Sequence, residues 1–143
     1  LPHGIGFFSP IVSMSGEDWL GVQKVVRQTQ RELGMPLSRS AGGWAWFRCT
    51  LVLLYVQPIV DDPGKKLKMM DNVRALAKAC AKNGYSEYRT HTVWMDDVMS
   101  AFSFNDNALL RFHETIKDAV DPNGILAPGR NGIWPKSLRE KKI

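Results

Sequence analysis

Tyr88 and Arg89 are neighbours in the segment YSEYRTHTVWMD, residues 85–96, and together they suit a phenolic ligand. Ionising a phenol near neutral pH requires its pKa, about 10 for free tyrosine, to fall by several units. A guanidinium and a phenol hydroxyl directed at the same oxygen would lower that pKa through charge and hydrogen bonding. Arginine fits this role because it stays charged when buried. The pair is therefore chemically able to hold a phenol as its anion, which is one of two interpretations that the residues allow.

A structural interpretation of the same pair stays open on the residues alone. In it, the Tyr88 ring packs in the core and Arg89 pairs with a surface carboxylate such as Glu87. His91, two residues after Arg89, is either a polar neighbour of the site or a residue at the start of the following helix. The three histidines are scattered along the chain and show no metal-ligand spacing.

The elements that must position these residues begin with a short apolar strand at 5–12, in which Pro10 marks an edge or a bulge. Ser15 is suited to cap a helix that Gly34 ends. The run 44–56 is rich in aromatic and β-branched residues, which predicts one long strand in the centre of a sheet.

A second helix is predicted over about 65–83, followed by an extended segment at 85–92 and by helices at about 95–102 and 106–120. The apolar stripe of the last helix consists of Leu109, Phe112, Ile116 and Val120. This order predicts an α+β fold in which helices cover one face of an antiparallel sheet, in a ferredoxin-like arrangement.

The segment DPNGILAPGRNGIWPK, residues 121–136, follows the last helix and has little regular structure in its sequence. Pro122 disfavours a helical conformation at Asp121, so the helix should end there. The few apolar side chains of the segment need a surface to dock on. We expect that surface to belong to a domain that this chain lacks.

Composition limits the classes of protein to which the chain can belong. Its 143 residues suffice for one domain, and 44% hydrophobic with 23% charged residues is typical of soluble proteins. No apolar run approaches the ~20 residues of a membrane helix, and no signal peptide is visible, so a cytoplasmic or peroxisomal location is favoured over secretion. The net charge of +5 is not joined to a nucleic-acid-binding module, so we expect a solvated basic surface. Cys49 and Cys80 are predicted to be reduced thiols.

The motifs YSEYRTHTVWMD and DPNGILAPG, in this order, resemble the C-terminal part of the vanillyl-alcohol oxidase and 4-cresol dehydrogenase family. Its members are flavoproteins that oxidise para-substituted phenols. The resemblance runs from about residue 1 to residue 136, and it implies the cap domain that covers the reactive edge of the flavin. Residues 121–136 would then dock on the flavin domain, and 137–143 would form a charged C-terminal tail.

The resemblance assigns roles to particular residues. Tyr88 and Arg89 match the family's phenolate-binding pair residue for residue, and Arg89 would also stabilise charge on the reduced flavin. Phe7 is expected near the substrate, and Trp46 would line a pocket of altered shape, because Arg48 and Cys49 stand where the family often has a His pair. Arg130, in APGR, would approach the flavin or hold the loop.

His3 is the candidate for a covalent bond to FAD, although it is out of register. In the family a His precedes a Phe-Ser-Pro motif, and aligning residues 8–10 with that motif puts the His position on Ile5. His3 lies two residues earlier, about 6–7 Å along a strand on the same face. Non-covalent FAD is therefore favoured, while a bulge at Gly4 and Gly6 would return His3 to the site.

The implied activity is hydride transfer from the benzylic carbon of a bound 4-alkylphenol or 4-hydroxybenzyl alcohol to FAD. Oxygen or an electron-acceptor protein would then reoxidise the flavin, and the protein would tend to self-associate. The FAD-binding domain would lie N-terminal to Leu1, so the isolated chain should be inactive.

Two alternatives remain. One is a non-catalytic remnant or interaction module with the same fold. The other is the cap of an FAD-linked 2-hydroxy acid oxidase or dehydrogenase, whose substrate carboxylate would also bind Arg89 but would leave Tyr88 without a partner.

Overall fold

Two units make up the chain in the computed structural model, which describes residues 4–35, 40–46, 50–59 and 62–139. The first unit covers residues 1–90 and the second covers residues 91–143. The cap domain at 1–136 and the charged tail at 137–143 were predicted from expected roles, whereas these units are defined by their internal contacts. The predicted division therefore stays a prediction.

The first unit contains an antiparallel sheet of β1 (Gly4–Phe8), β2 (Pro10–Ser13), β3 (Ser40–Trp46), β4 (Thr50–Ile59) and β5 (Ser86–Glu87). Strand β4 is central, since it pairs with β1, β2 and β3, while β5 pairs with the other edge of β2. The predicted central strand is thus confirmed in β4.

The two strands β1 and β2 continue one line along β4. Phe8 pairs with Tyr55 and Ile11 with Val52. A step of three residues from β1 to β2 thus corresponds to a step of three residues in the opposite direction along β4. The line is interrupted at Ser9, beside Pro10, which has no N–H to donate. Counted as one strand, they give the order βαββαβ with antiparallel neighbours, which is the ferredoxin-like arrangement predicted from the sequence.

The prediction of one long strand over 44–56 was wrong. The structure has two antiparallel strands there, with Trp46 opposite Thr50 and Trp44 opposite Val52. The reason lies in propensity: strand-forming residues fill both strands, and residues 47–49 (Phe-Arg-Cys) include no Gly, Pro, Asn or Asp to indicate a turn.

Helices α1 (Gly16–Glu32) and α2 (Pro63–Lys82) pack against each other, and they contact β2 and β5 respectively, so they form a layer on one face of the sheet. The Ser15 side chain caps α1 by accepting a hydrogen bond from the Asp18 N–H at 3.0 Å. Asp62 caps α2 in the same way through the Lys65 N–H at 3.1 Å, with Pro63 in the first turn. The buried side chains under these helices include Phe8, Val22, Val26, Val73, Leu76 and Cys80.

The second unit contains α3 (Met95–Met99), α4 (Phe104–Val120) and α5 (Lys136–Arg139), with single 3₁₀ turns at Thr92–Trp94 and Arg130–Gly132. Residues 105–107 at the start of α4 have positive φ angles, which Asn and Asp tolerate better than other non-glycine residues. The predicted apolar stripe of α4 is not a core stripe. Phe112, Ile116 and Val120 are all exposed, and no described residue of α4 is buried.

The predicted docking segment 121–136 is held partly by its own unit. Asp121 accepts hydrogen bonds from the backbone N–H groups of Ile125 and Leu126, both at 2.9 Å, and its carboxylate pairs with Lys117 at 2.6 Å. Hydrogen bonding to Lys117 lowers the pKa of Asp121. The Trp134 indole N–H donates to Asp96 at 2.8 Å. The long apolar side chains of this segment are Ile125, Leu126, Ile133 and Trp134. Ile125 and Leu126 are exposed and are available to a further partner.

Replacing Gly132 by alanine is expected to destabilise the protein by about 3 kcal/mol, because two costs add. Gly132 has a φ of +74°, and a β-carbon there would lie 2.7 Å from Met99 Cβ and 3.1 Å from the Met95 carbonyl oxygen. Gly16→Ala is the matched control, since nothing lies within 4 Å of the added carbon. Chemical denaturation measures the difference, and equal midpoints for the two variants would contradict this packing.

No helix within the described ranges is both long and apolar enough to cross a bilayer.

Candidate functional site

Tyr88 and Arg89 lie at a bend directly after the short strand β5. The Tyr88 N–H donates to the Ser9 carbonyl oxygen at 2.8 Å, which ties the bend to the interruption between β1 and β2. The Arg89 guanidinium carbon lies 5.9 Å from the centre of the Tyr88 ring, within the range of a cation–π contact. The two side chains are therefore held close together by adjacent backbone positions.

Both side chains are available to a ligand. Tyr88 is 45% exposed and Arg89 is also exposed, so the Tyr88 ring is not a core residue. In the part of the chain that the structure describes, no ion pair joins Arg89 to Glu87, whose side chain is buried. The interpretation of Tyr88 as a core ring is thus wrong, and Glu87 is not the surface partner of Arg89.

Phe7 and Tyr88 are both accessible near the interruption between β1 and β2. Phe7 belongs to β1 and is 48% exposed. Tyr88 is 45% exposed, and its N–H bonds to Ser9, which follows Phe7 by two residues. The sheet register therefore brings an exposed apolar residue and the exposed polar pair to neighbouring backbone positions.

The remaining predicted site residues are placed only in part. Trp46 ends β3 opposite Thr50 and is placed by its backbone. His3, Arg48 and Cys49 lie outside the described residues, so the register of His3 is untested. Arg130 is exposed and begins the 3₁₀ turn Arg130–Gly132 of the second unit.

His91 lies at the start of the 3₁₀ turn Thr92–Trp94, which is the second of the two interpretations given for it. Its Nδ1 accepts a hydrogen bond from the Val93 N–H at 3.3 Å, and its ring meets Trp94 edge to face at 5.6 Å. Within the described ranges, no group of His, Cys, Asp and Glu side chains is arranged to hold a metal ion.

Glu87 is the functional candidate that the sequence did not reveal. It immediately precedes Tyr88, and it is only 8% exposed on the face that the helices cover. Burial raises its pKa from 4.5 to about 7, while the Thr90 hydroxyl and the Ser9 backbone amide partly offset that rise. Neither group reaches the geometry of a full hydrogen bond to the carboxyl oxygens. Its burial follows from its pairing with Pro10, and no local signal in the sequence indicates that pairing.

Cys80 on α2 is a buried free thiol close to Glu87. Burial and then the charge of Glu87 raise the pKa of Cys80 to about 12, so it stays protonated at neutral pH. The Cys80 thiol is therefore a core group rather than a nucleophile. This confirms the prediction of a reduced thiol for Cys80.

A shallow depression along the exposed side of α1, between Leu20, Arg27 and Glu32, contains none of the predicted site residues.

The sequence profile for the C-terminal domain of FAD-linked oxidases matches residues 3–131. A segment of 52 residues, 36% of the chain, is 44% identical to the flavoprotein subunit of 4-cresol dehydrogenase (hydroxylating) from Pseudomonas putida, of which it covers 9%. Among solved structures, 4-ethylphenol oxidase from Gulosibacter chungangensis in complex with isoeugenol is similar with a TM-score of 0.79 and 36% identity. That match covers 95% of the chain and 26% of the oxidase.

A second solved structure, p-cresol methylhydroxylase with substrate bound, is similar in fold with a TM-score of 0.75 and 23% identity. The match covers 92% of the chain and 24% of the hydroxylase. The chain thus spans about a quarter of the length of these two solved proteins.

Proposed function

Because the chain belongs to the FAD-linked oxidases and corresponds to their C-terminal domain, we propose that it completes the substrate site of an enzyme that oxidises para-substituted phenols. The observation that carries the proposal is the exposed pair Tyr88 and Arg89, whose guanidinium and ring lie 5.9 Å apart. The relatives named for 4-ethylphenol and 4-cresol support the substrate class.

Tyr88 and Arg89 would bind the phenol as its anion. The guanidinium supplies a fixed positive charge, and the hydroxyl donates a hydrogen bond to the same oxygen. Each unit by which they lower the pKa of the phenol corresponds to ~1.4 kcal/mol of preferential binding to the anion. The phenolate is the more electron-rich form, so holding it favours loss of hydride from the benzylic carbon.

The cofactor of this reaction would be FAD, which supplies the acceptor for that hydride when it is bound. The chemistry of Arg89 fits the ring of the flavin, since its exposed guanidinium suits the negative charge of a reduced ring, and Arg130, in the second unit, stays a separate candidate for the same role. Glycine-rich turns that open a helix after a strand, which hold the phosphates of a dinucleotide, are lacking in the sequence. The chain would therefore contribute to the ring side of the cofactor site, with attachment through His3 undecided.

The rest of the FAD site would come from an N-terminal FAD-binding domain, which we propose as the partner of this chain. The exposed apolar side chains of α4 and of the following segment are the surface that it would cover: Phe104, Phe112, Ile116, Val120, Ile125 and Leu126. Six large apolar side chains exposed within one short stretch of the chain suit a surface that a partner covers.

The isolated chain is expected to bind FAD more weakly than about 1 µM, since the phosphate-binding part of the site would be absent. Equilibrium dialysis of the chain with FAD measures this, with the full-length protein as the positive control. Micromolar binding by the chain alone would contradict the proposed division of the site.

The full-length protein is expected to turn over 4-ethylphenol and vanillyl alcohol but not lactate. Oxygen consumption and the reduction of an artificial electron acceptor, measured in parallel, also decide between oxidase and dehydrogenase. Turnover of lactate alone would replace the proposal by a 2-hydroxy acid enzyme, and no turnover with bound FAD would favour the non-catalytic module.

A further inference from the structure

We infer that Glu87 is a positioning residue for the phenolate-binding pair: its buried carboxyl, set between Ser9 and Thr90, holds the bend that presents Tyr88 and Arg89. This inference rests on the proposed function only for the identity of the ligand. The geometric claim concerns the bend itself.

The position of Glu87 is the first support. Tyr88 and Arg89 form the bend, and the two groups nearest the Glu87 carboxyl belong to residues on either side of it. Ser9 receives the Tyr88 N–H through its carbonyl oxygen at 2.8 Å, and Thr90 is the next residue after Arg89. The carboxyl therefore lies near the anchor of the bend and near its exit, without a hydrogen bond of full geometry to either.

The orphaned polar atoms around the bend are the second support. Among the buried side-chain atoms described, the Ser86 hydroxyl, the Thr90 hydroxyl and both Glu87 carboxyl oxygens lack a hydrogen bond of normal geometry. All three residues lie within the five residues that contain Tyr88 and Arg89. Buried polar atoms without partners are costly, so such a group in one short segment indicates a functional constraint.

Burial decides the chemical form in which Glu87 would act. Its neighbours include the Cys80 thiol on α2 and the backbone of Ser9, between β1 and β2, and neither carries a positive charge. A carboxyl in such surroundings is favoured as the neutral acid, which both donates and accepts hydrogen bonds. A glutamine has nearly the same shape and also does both, whereas an alanine does neither.

Hydrogen exchange of the Tyr88 amide in the full-length protein tests the geometric claim. Glu87→Ala is expected to speed this exchange about tenfold or more, while Glu87→Gln should stay within about threefold of the wild type. The Trp94 amide, bonded to the His91 carbonyl oxygen at 3.0 Å in the other unit, should exchange equally in all three proteins. Unchanged Tyr88 exchange in Glu87→Ala would overturn the inference, as would equal acceleration at Trp94.

Binding of 4-chlorophenol tests the consequence, because this phenol lacks a benzylic carbon and reports affinity without turnover. Glu87→Ala should weaken binding about tenfold or more, Glu87→Gln should not, and the exposed Glu32→Gln serves as a control. Equal affinities of Glu87→Ala and the wild type would overturn the positioning role. If the wild type itself binds no 4-chlorophenol, the proposed function fails, and the exchange of the Tyr88 amide alone decides the inference.

Discussion

Replacing Arg89 by methionine in the full-length protein is expected to lower kcat/KM for 4-ethylphenol by about 10²–10³-fold. Methionine has a similar length but neither charge nor N–H donors, so the phenolate would lose its fixed counter-charge. Arg89→Lys should recover only part of the loss, because an ammonium does not reproduce the planar donor geometry of a guanidinium. Steady-state kinetics at several pH values measure both variants.

Tyr88→Phe should lower kcat/KM less, by about tenfold. It removes the hydrogen bond from an uncharged hydroxyl to the phenolate oxygen but keeps the ring and the charge of Arg89. Arg31→Met, an exposed arginine on α1, is the matched control and should leave kcat/KM unchanged. A double variant at Tyr88 and Arg89 is expected to be less than additive, because both groups act on the same oxygen. An Arg89→Met protein within threefold of the wild type would remove Arg89 from the site.

Glu87→Gln is expected to stabilise the protein relative to the wild type at pH 8 by up to about 3 kcal/mol, but to have little effect at pH 4. The pKa of Glu87 is raised from 4.5 to about 7 in the folded state. The folded state therefore binds more protons than the unfolded state between those values, so the stability of the wild type falls as pH rises from 4.5 to 7. A permanently neutral glutamine does not undergo this loss.

Subtracting the unfolding free energy of the wild type from that of Glu87→Gln removes the contributions of the other carboxylates. Asp62, Asp118 and Asp121 have lowered pKa values, so each contributes stability that is lost as pH falls, equally in both proteins. Cys80 remains a neutral thiol over this range. Chemical denaturation at pH 4, 6 and 8 measures the difference, and a value that does not change with pH would show that Glu87 is not a buried acid.

Local signals in the sequence were enough to predict the helical layer and the type of sheet. Ser15 and Asp62 cap the helices as their residue types indicate, and Gly34 and Gly84 follow the helix ends with positive φ. The ferredoxin-like order follows from alternating strands and helices. The separation of β3 from β4 could not be predicted in the same way, because no Gly, Pro, Asn or Asp stands between them in the sequence.

The site was predicted as a pair but not as a surface. The adjacency of Tyr88 and Arg89 is visible in the sequence, whereas the position of Phe7 relative to Tyr88 depends on how the strands pair. The burial of Glu87 also depends on that pairing. The exposure of the α4 stripe could not be predicted either, since an apolar stripe fits a core and a docking surface equally well.

The ionisation state of a bound phenol tests the central claim most directly. The probe is 4-hydroxybenzaldehyde, whose absorption band shifts on ionisation, titrated into the full-length protein at a pH below its own pKa. We predict that it binds as the phenolate in the wild type and that Arg89→Met binds it weakly and as the neutral phenol. Binding of the neutral phenol by the wild type, or of the phenolate by both proteins, would contradict the role of Tyr88 and Arg89.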